Sequence, residues 1–265
     1  MVKKEDIDDF ITKIPPAPEV LKKTIALLNL GNLQKAATVA EGDLALKAYL
    51  KDIVNKPIYG FKNEVSDISQ IFGILGVSQS QQTVYNYMIN LLSPSKWVLF
   101  KLNKKTFHEL QANLSIKWSI ILQHLKIDDK NIAASISLLP SSIIVAEALF
   151  NKYIDDVNLL RTTKALDYNT ILYRISNFTL FDICEQVATK WEMDKIISEI
   201  IQASSGLKAS QDEQLNKLAK WMHLLLFYEL SQQMFVDAGL NDFIDFQIEF
   251  VGDIYEEFAT VMDIS

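Results

Sequence analysis

A chain of 265 residues, 49% apolar and 22% charged, carries enough apolar material for a substantial core. Its net charge of −7 speaks against a general nucleic-acid binder, because phosphate contacts need a basic face. A single cysteine, Cys184, excludes an internal disulfide and a cysteine metal cluster, as expected of a reducing compartment. Only 8 glycines and 6 prolines punctuate the length, which favours helices joined by short loops.

The start runs into acidic residues and not into an apolar signal core. The longest apolar stretches, around residues 136–150 and 221–228, are too short or too interrupted to span a bilayer. The expectation is a cytoplasmic protein with no membrane partner.

Residues 1–13 read as a lead helix. Pro15, Pro16 and Pro18 stiffen the chain after it, so that a helix begins at Pro18 or Glu19. Asp43 is a good N-cap for the next helix, whose Leu46, Tyr49, Leu50, Ile53 and Val54 form one apolar stripe. Asn55-Lys56-Pro57 ends it, since a residue before proline is disfavoured in helical geometry. Ser66 then caps a helix through Ile74, with Gly76 as its C′ residue. A capping box at Ser78-Gln79-Ser80-Gln81 opens another, with Val84, Tyr87, Met88, Leu91 and Leu92 on one face. Residues 93–105 read as a linker, with helical patterning resuming near Thr106.

Further helices are expected near 132–139, 143–153, 168–176, 181–191, 195–204 and 212–235. A last one ends near Val261, with Val251, Ile254, Tyr255 and Phe258 as its stripe. No run shows the period-2 alternation of a sheet, and no internal repeat suggests a solenoid. The expected fold class is a compact, multi-helix, all-α domain.

Candidate sites are few. His108, His124 and His223 are the only histidines, and Ala112 stands where a zincin helix would place its second His after His108-Glu109. Asp128-Asp129 and Asp155-Asp156 fit caps and first-turn acids better than a carboxylate pair. Ser141-Ser142 lacks a nucleophile elbow, and no phosphate-binding glycine loop is present. Lys96, Lys101, Lys104 and Lys105 with Trp97 and Phe100 could form a single-strand stacking platform, though a solvated connector with packed aromatics suits the acidic total better. Asn55, Tyr59, Gly60 and Phe61 form a polar-aromatic corner that serves either as a partner site or as a packed turn. The aromatic end, with Phe243, Phe246, Phe250, Tyr255 and Phe258, reads as core; an exposed stripe there would suggest a dimer or partner face.

The succession IPPAPEVLKKTIALL, EGDLALKAYLKDIVNKPIYGF and VSDISQIFGILG resembles the N-terminal half of the HDOD family, helical bacterial signalling domains related to HD phosphohydrolases. The likeness covers residues 14–206, as a lobe of 14–92 and a degenerate HD-like lobe of 106–206, leaving 207–265 as C-terminal helices packed on the domain. It departs at Leu44, where many relatives have Pro, and at Lys56-Pro57, where small residues are commoner. In the second lobe, Ser137-Leu138-Leu139-Pro140-Ser141 and Val187-Ala188-Thr189-Lys190-Trp191 resemble the segments around the catalytic relatives' His-Asp pair and Trp helix. Pro140 and Ser141 stand at the dyad, and Ala203-Ser204 stand where a terminal His would follow.

What the resemblance implies is a non-enzymatic regulatory protein without cofactor or metal. It would act on a protein partner, with homodimerisation left open and nucleic acid not expected. A sensor using the vestigial HD cavity is the alternative, and a residual phosphohydrolase ranks below it.

Overall fold

A computed structural model describes residues 1–264, Ile58 by its backbone only. Every regular element among the described residues is helical. The chain divides into two compact units, residues 16–91 and residues 1–15 with 92–265.

The smaller unit holds α2 (Glu19–Asn29), α3 (Leu33–Ala40), α4 (Leu44–Val54) and α5 (Ile68–Asn90). Helix α2 starts directly behind Pro18, and Asp43 caps α4 by accepting from the amides of Ala45 and Leu46. Leu46, Tyr49, Leu50 and Val54 of the expected stripe are buried. Helix α3 lies outside the sequence reading. Its inward face is built from Ala36, Ala37 and Ala40, which carry too little apolar contrast to show a stripe.

One expectation fails between 66 and 92. Asp67, not Ser66, caps α5, by accepting from the Gln70 amide. Gly76 has the positive φ expected of a C′ residue, at φ 70° and ψ 179°, and this non-helical residue divides Ile68–Asn90 into two helices across a kink. The segments before and after Gly76 are the two helices expected, numbered together as α5. Beyond the kink, residues 80–86 are buried all round, so the second half has no single apolar face.

The larger unit begins with α1 (Lys4–Lys13) and continues with α6 (Lys104–His124), α7 (Lys130–Ser135), α8 (Ser141–Phe150), α9 (Ile154–Lys164), α10 (Tyr168–Ser176), α11 (Leu180–Lys190), α12 (Lys195–Ala203) and α13 (Glu213–Leu230). It ends with α14 (Gln233–Asp237), α15 (Ile248–Val251) and α16 (Tyr255–Val261). Helix α12 packs on α7, α11 and α13, while α1 lies on α8 and α11. Trp191, at the end of α11, donates its indole N–H to the Pro15 carbonyl at 2.8 Å and so anchors the proline entry. Asp129 caps α7, and Asp155 and Asp156 lie in the first turn of α9, as their bland reading required.

The expected helix 212–235 breaks at Ser231-Gln232, and the last helix is two short ones separated by a turn. The apolar stretch 130–164 is the one segment of the described residues long and apolar enough for a membrane span. Its most apolar 18-residue window is 89% buried, and the stretch is broken into several helices, which is the signature of a core segment.

Candidate functional site

The corner after α4 is built around Asn55. Its amide nitrogen donates to the Lys51 carbonyl at 2.9 Å and to the Val65 carbonyl at 2.8 Å, and its oxygen accepts from the Val65 N–H at 2.8 Å. One side chain thus closes both ends of the 56–64 loop, satisfying the helix end and the returning strand of backbone together. Within the loop, residues 57–59 form a 3-10 turn and Gly60 takes φ 67°, ψ 16°, left-handed geometry that costs glycine nothing. Lys51 and Glu64 pair across it at 2.7 Å. Tyr59 is half-buried, and that burial raises its phenol above the ordinary range. Phe61 is exposed.

The four corner residues therefore divide by role. Asn55 and Gly60 build the turn, Tyr59 is partly packed, and Phe61 alone turns a large apolar group outward. Asn55→Ala removes three hydrogen bonds and strands the amide of buried Val65, an expected loss of about 1–3 kcal/mol. Urea denaturation measures it.

Pro140 and Ser141 sit at the start of α8, both buried. The Ser141 and Ser142 hydroxyls turn back to donate to the carbonyls of Leu138 (2.6 Å) and Leu139 (2.7 Å), as expected of serines opening a helix. Cys184 lies beside Ser141, and burial pushes its thiol up to about 12, far from a reactive thiolate. Among the described residues no three His, Cys, Asp or Glu side chains converge as a metal would require. His124 meets Glu257 at 2.8 Å on the surface, and His108 is half-buried on α6.

The basic-aromatic segment is strapped down. Phe100 is buried against Tyr168 (5.4 Å) and Phe243 (6.1 Å), and Trp97 packs on Phe107 (5.4 Å). Both rings are spent on packing, so neither is a free face for a nucleobase. The aromatic end behaves similarly: Phe243 and Phe258 are buried, while Phe246 packs edge-on against Phe227 and Tyr255.

One residue, Glu147, escaped the sequence reading, and His223 has a role that its mention there did not foresee. Glu147 on α8 is buried, and its carboxylate accepts from three successive amides, Val98, Leu99 and Phe100, at 2.6–3.2 Å. This is what pins the supposed linker. His223 on α13 is fully buried, with Nδ1 2.9 Å from the Ser204 carbonyl and Nε2 2.9 Å from the Asp245 carbonyl. A charged group inside an apolar run, and a histidine within Trp221–Leu226, were the only signals for either.

A groove of about 550 Å³ runs beside the corner, lined by Leu44, Lys47, Ala48, Lys51, Asp52, Asn55 and Glu64. All but Glu64 come from α4 and its C-cap.

The HDOD domain model matches residues 14–206. No curated protein matches the sequence. Among solved structures, an HDOD domain protein of unknown function from Geobacter sulfurreducens is similar, with TM-score 0.66 and 13% identity, over 98% of this chain and 95% of that one. A protein of Marinobacter aquaeolei VT8, ascribed to signal transduction, has TM-score 0.60 and 15% identity, over 98% of this chain and 64% of its own length. These likenesses concern the fold. With the family model covering well over half the residues, this all-helical chain belongs to the HDOD family.

Proposed function

We propose that this chain is a non-enzymatic regulatory protein of bacterial signalling, working in the cytoplasm by binding another protein through the Tyr59–Phe61 corner. The observation that carries this is Phe61, held outward on a turn that Asn55 makes rigid. A preformed turn presenting an aromatic loses little entropy on binding, which is what a protein contact needs. The ascription of the Marinobacter relative to signal transduction supports the pathway class. A ligand sensor at the former dyad would need convergent polar groups facing a cavity. Ser141 instead spends its hydroxyl on Leu138 and lies against Cys184, which favours the protein-binding reading.

Crosslinking capture from the native cell tests this, comparing the natural chain with Tyr59→Ala and Phe61→Ala. Phe61→Ala is expected to lose the partner while its stability stays within about 0.5 kcal/mol, since the ring is exposed. If both variants recover every partner unchanged, the corner is structural only. Phosphodiester hydrolysis with stoichiometric bound metal would overturn the non-enzymatic part.

A further inference from the structure

The outward face of α4 carries a pattern that extends beyond the corner. At about 100° per residue, Leu44, Ala48, Lys51 and Asn55 share one strip roughly 60° wide, while Lys47 flanks it on one side and Asp52 on the other. These residues line the groove of about 550 Å³. Leu44 is 82% exposed, a solvent-facing leucine at the head of the strip. Lys51 is drawn aside to Glu64, and the Asn55 amide is committed to the corner, so neither presents a free polar head along the strip. Among the described residues, Lys47 and Asp52 have no ion-pair partner.

The spacing of those two charges is informative. Leu44, Ala48, Lys51 and Asn55 follow the 4-3-4 rhythm of a helix–helix seam, which places Lys47 and Asp52 at its opposite edges. When two such helices lie parallel about a two-fold axis, each edge residue meets the opposite edge of its neighbour five positions on. Lys47 and Asp52 are five positions apart. An antiparallel pairing would set lysine against lysine and aspartate against aspartate. The face is thus complementary to itself in one orientation only.

We propose that α4 is a self-association surface: a second copy of the chain docks here, α4 parallel to α4, with Lys47 of each copy pairing with Asp52 of the other around a Leu44 contact. The strip is about three turns long, which buries less than the roughly 1,200 Å² of a standard interface, so the dimer is weak, with Kd on the order of 100 µM. It is independent of the Phe61 reading, because Phe61 does not line the groove.

Sedimentation equilibrium from 10 µM to 1 mM at low salt tests this. The natural chain is expected to show a reversible dimer that weakens at high salt. Lys47→Glu faces acid with acid, and Asp52→Lys faces base with base; each is expected to weaken the dimer about tenfold or more. Mixing those two variants pairs opposite charges at both edges and restores a heterodimer, and the double variant Lys47→Glu/Asp52→Lys restores a homodimer. Leu44→Ser weakens association about tenfold without lowering the thermal midpoint. A chain that stays monomeric at 1 mM overturns the proposal, as does a dimer indifferent to the single swaps or not restored by mixing. Capture of a different protein that is lost in Leu44→Ser, while the chain alone stays monomeric, assigns the face to that partner and also overturns it. Either failure leaves Phe61-dependent capture standing as a separate result.

Discussion

Glu147→Ala is expected to destabilise the unit of residues 92–265 by about 3–5 kcal/mol, because a buried acceptor is removed and its donors stay behind. In the native chain the two carboxylate oxygens take the Val98 N–H at 2.6 Å, the Leu99 N–H at 3.0–3.1 Å and the Phe100 N–H at 3.2 Å. Charge-assisted bonds to amides are the stronger kind. Alanine leaves the buried Phe100 amide without its acceptor and loosens the aromatic ring that packs on Tyr168 and Phe243. Glu147→Gln keeps one acceptor oxygen but turns an NH₂ group toward amide donors, so an intermediate loss is expected. Trp97, stacked near Phe107, reports the event by fluorescence during urea denaturation. A Trp97 transition at the same urea midpoint in all three proteins would show that the carboxylate is dispensable.

His223 is the second residue with a large expected effect, and its effect depends on pH. A neutral imidazole has one N–H, so it can serve only one of the Ser204 and Asp245 carbonyls fully. Protonation would serve both, and the Asp167 carboxylate favours it, but burial outweighs these and holds the ring's pKa below the usual 6.5. The folded state therefore prefers the neutral ring, while the unfolded chain takes up a proton near pH 6.5. The contribution of His223 is complete above that pH and is lost as pH falls toward the folded value. His223→Leu is expected to cost about 2–3 kcal/mol at pH 8, where two buried carbonyls lose their ring contact. The gap between the two proteins then narrows by up to about 1.4 kcal/mol per pH unit below 6.5. Urea denaturation at pH 8, 7, 6 and 5 follows it, and comparing the two chains at each pH removes the titrations they share. A gap that widens as pH falls would mean that the buried ring is an imidazolium and not a neutral imidazole.

Both residues show why parts of this protein are hidden in its sequence. Glu147 lies 47–49 positions from the amides it holds, and His223 lies 19 and 22 positions from its two carbonyls. Nothing local marks either as a clamp. The segment 93–105 illustrates the consequence: its Ser-Pro-Ser opening and its lysines read as a linker, yet Glu147 from α8 draws it onto the body and Phe100 completes a core. Similarly, Leu46 and Leu44 are leucines two residues apart on α4, one buried and one solvent-facing, and only the packing of the helix shows what the exposed one leaves open.

By itself the sequence determined the helical class, most helix starts and the turn after α4. Those depend on contacts within a few residues: Asp43 with Ala45 and Leu46, Asp129 with Asn131 and Ile132, and proline with its own backbone. Tertiary structure decided the rest. It buried residues 80–86 on every side of the helix after Gly76, where the spacing of Val84, Tyr87 and Met88 suggested a single apolar face. It also separated Asn55 from Phe61, neighbours in one motif that became a half-buried brace and an outward ring, since burial is a property of the whole packed chain and never of a seven-residue segment.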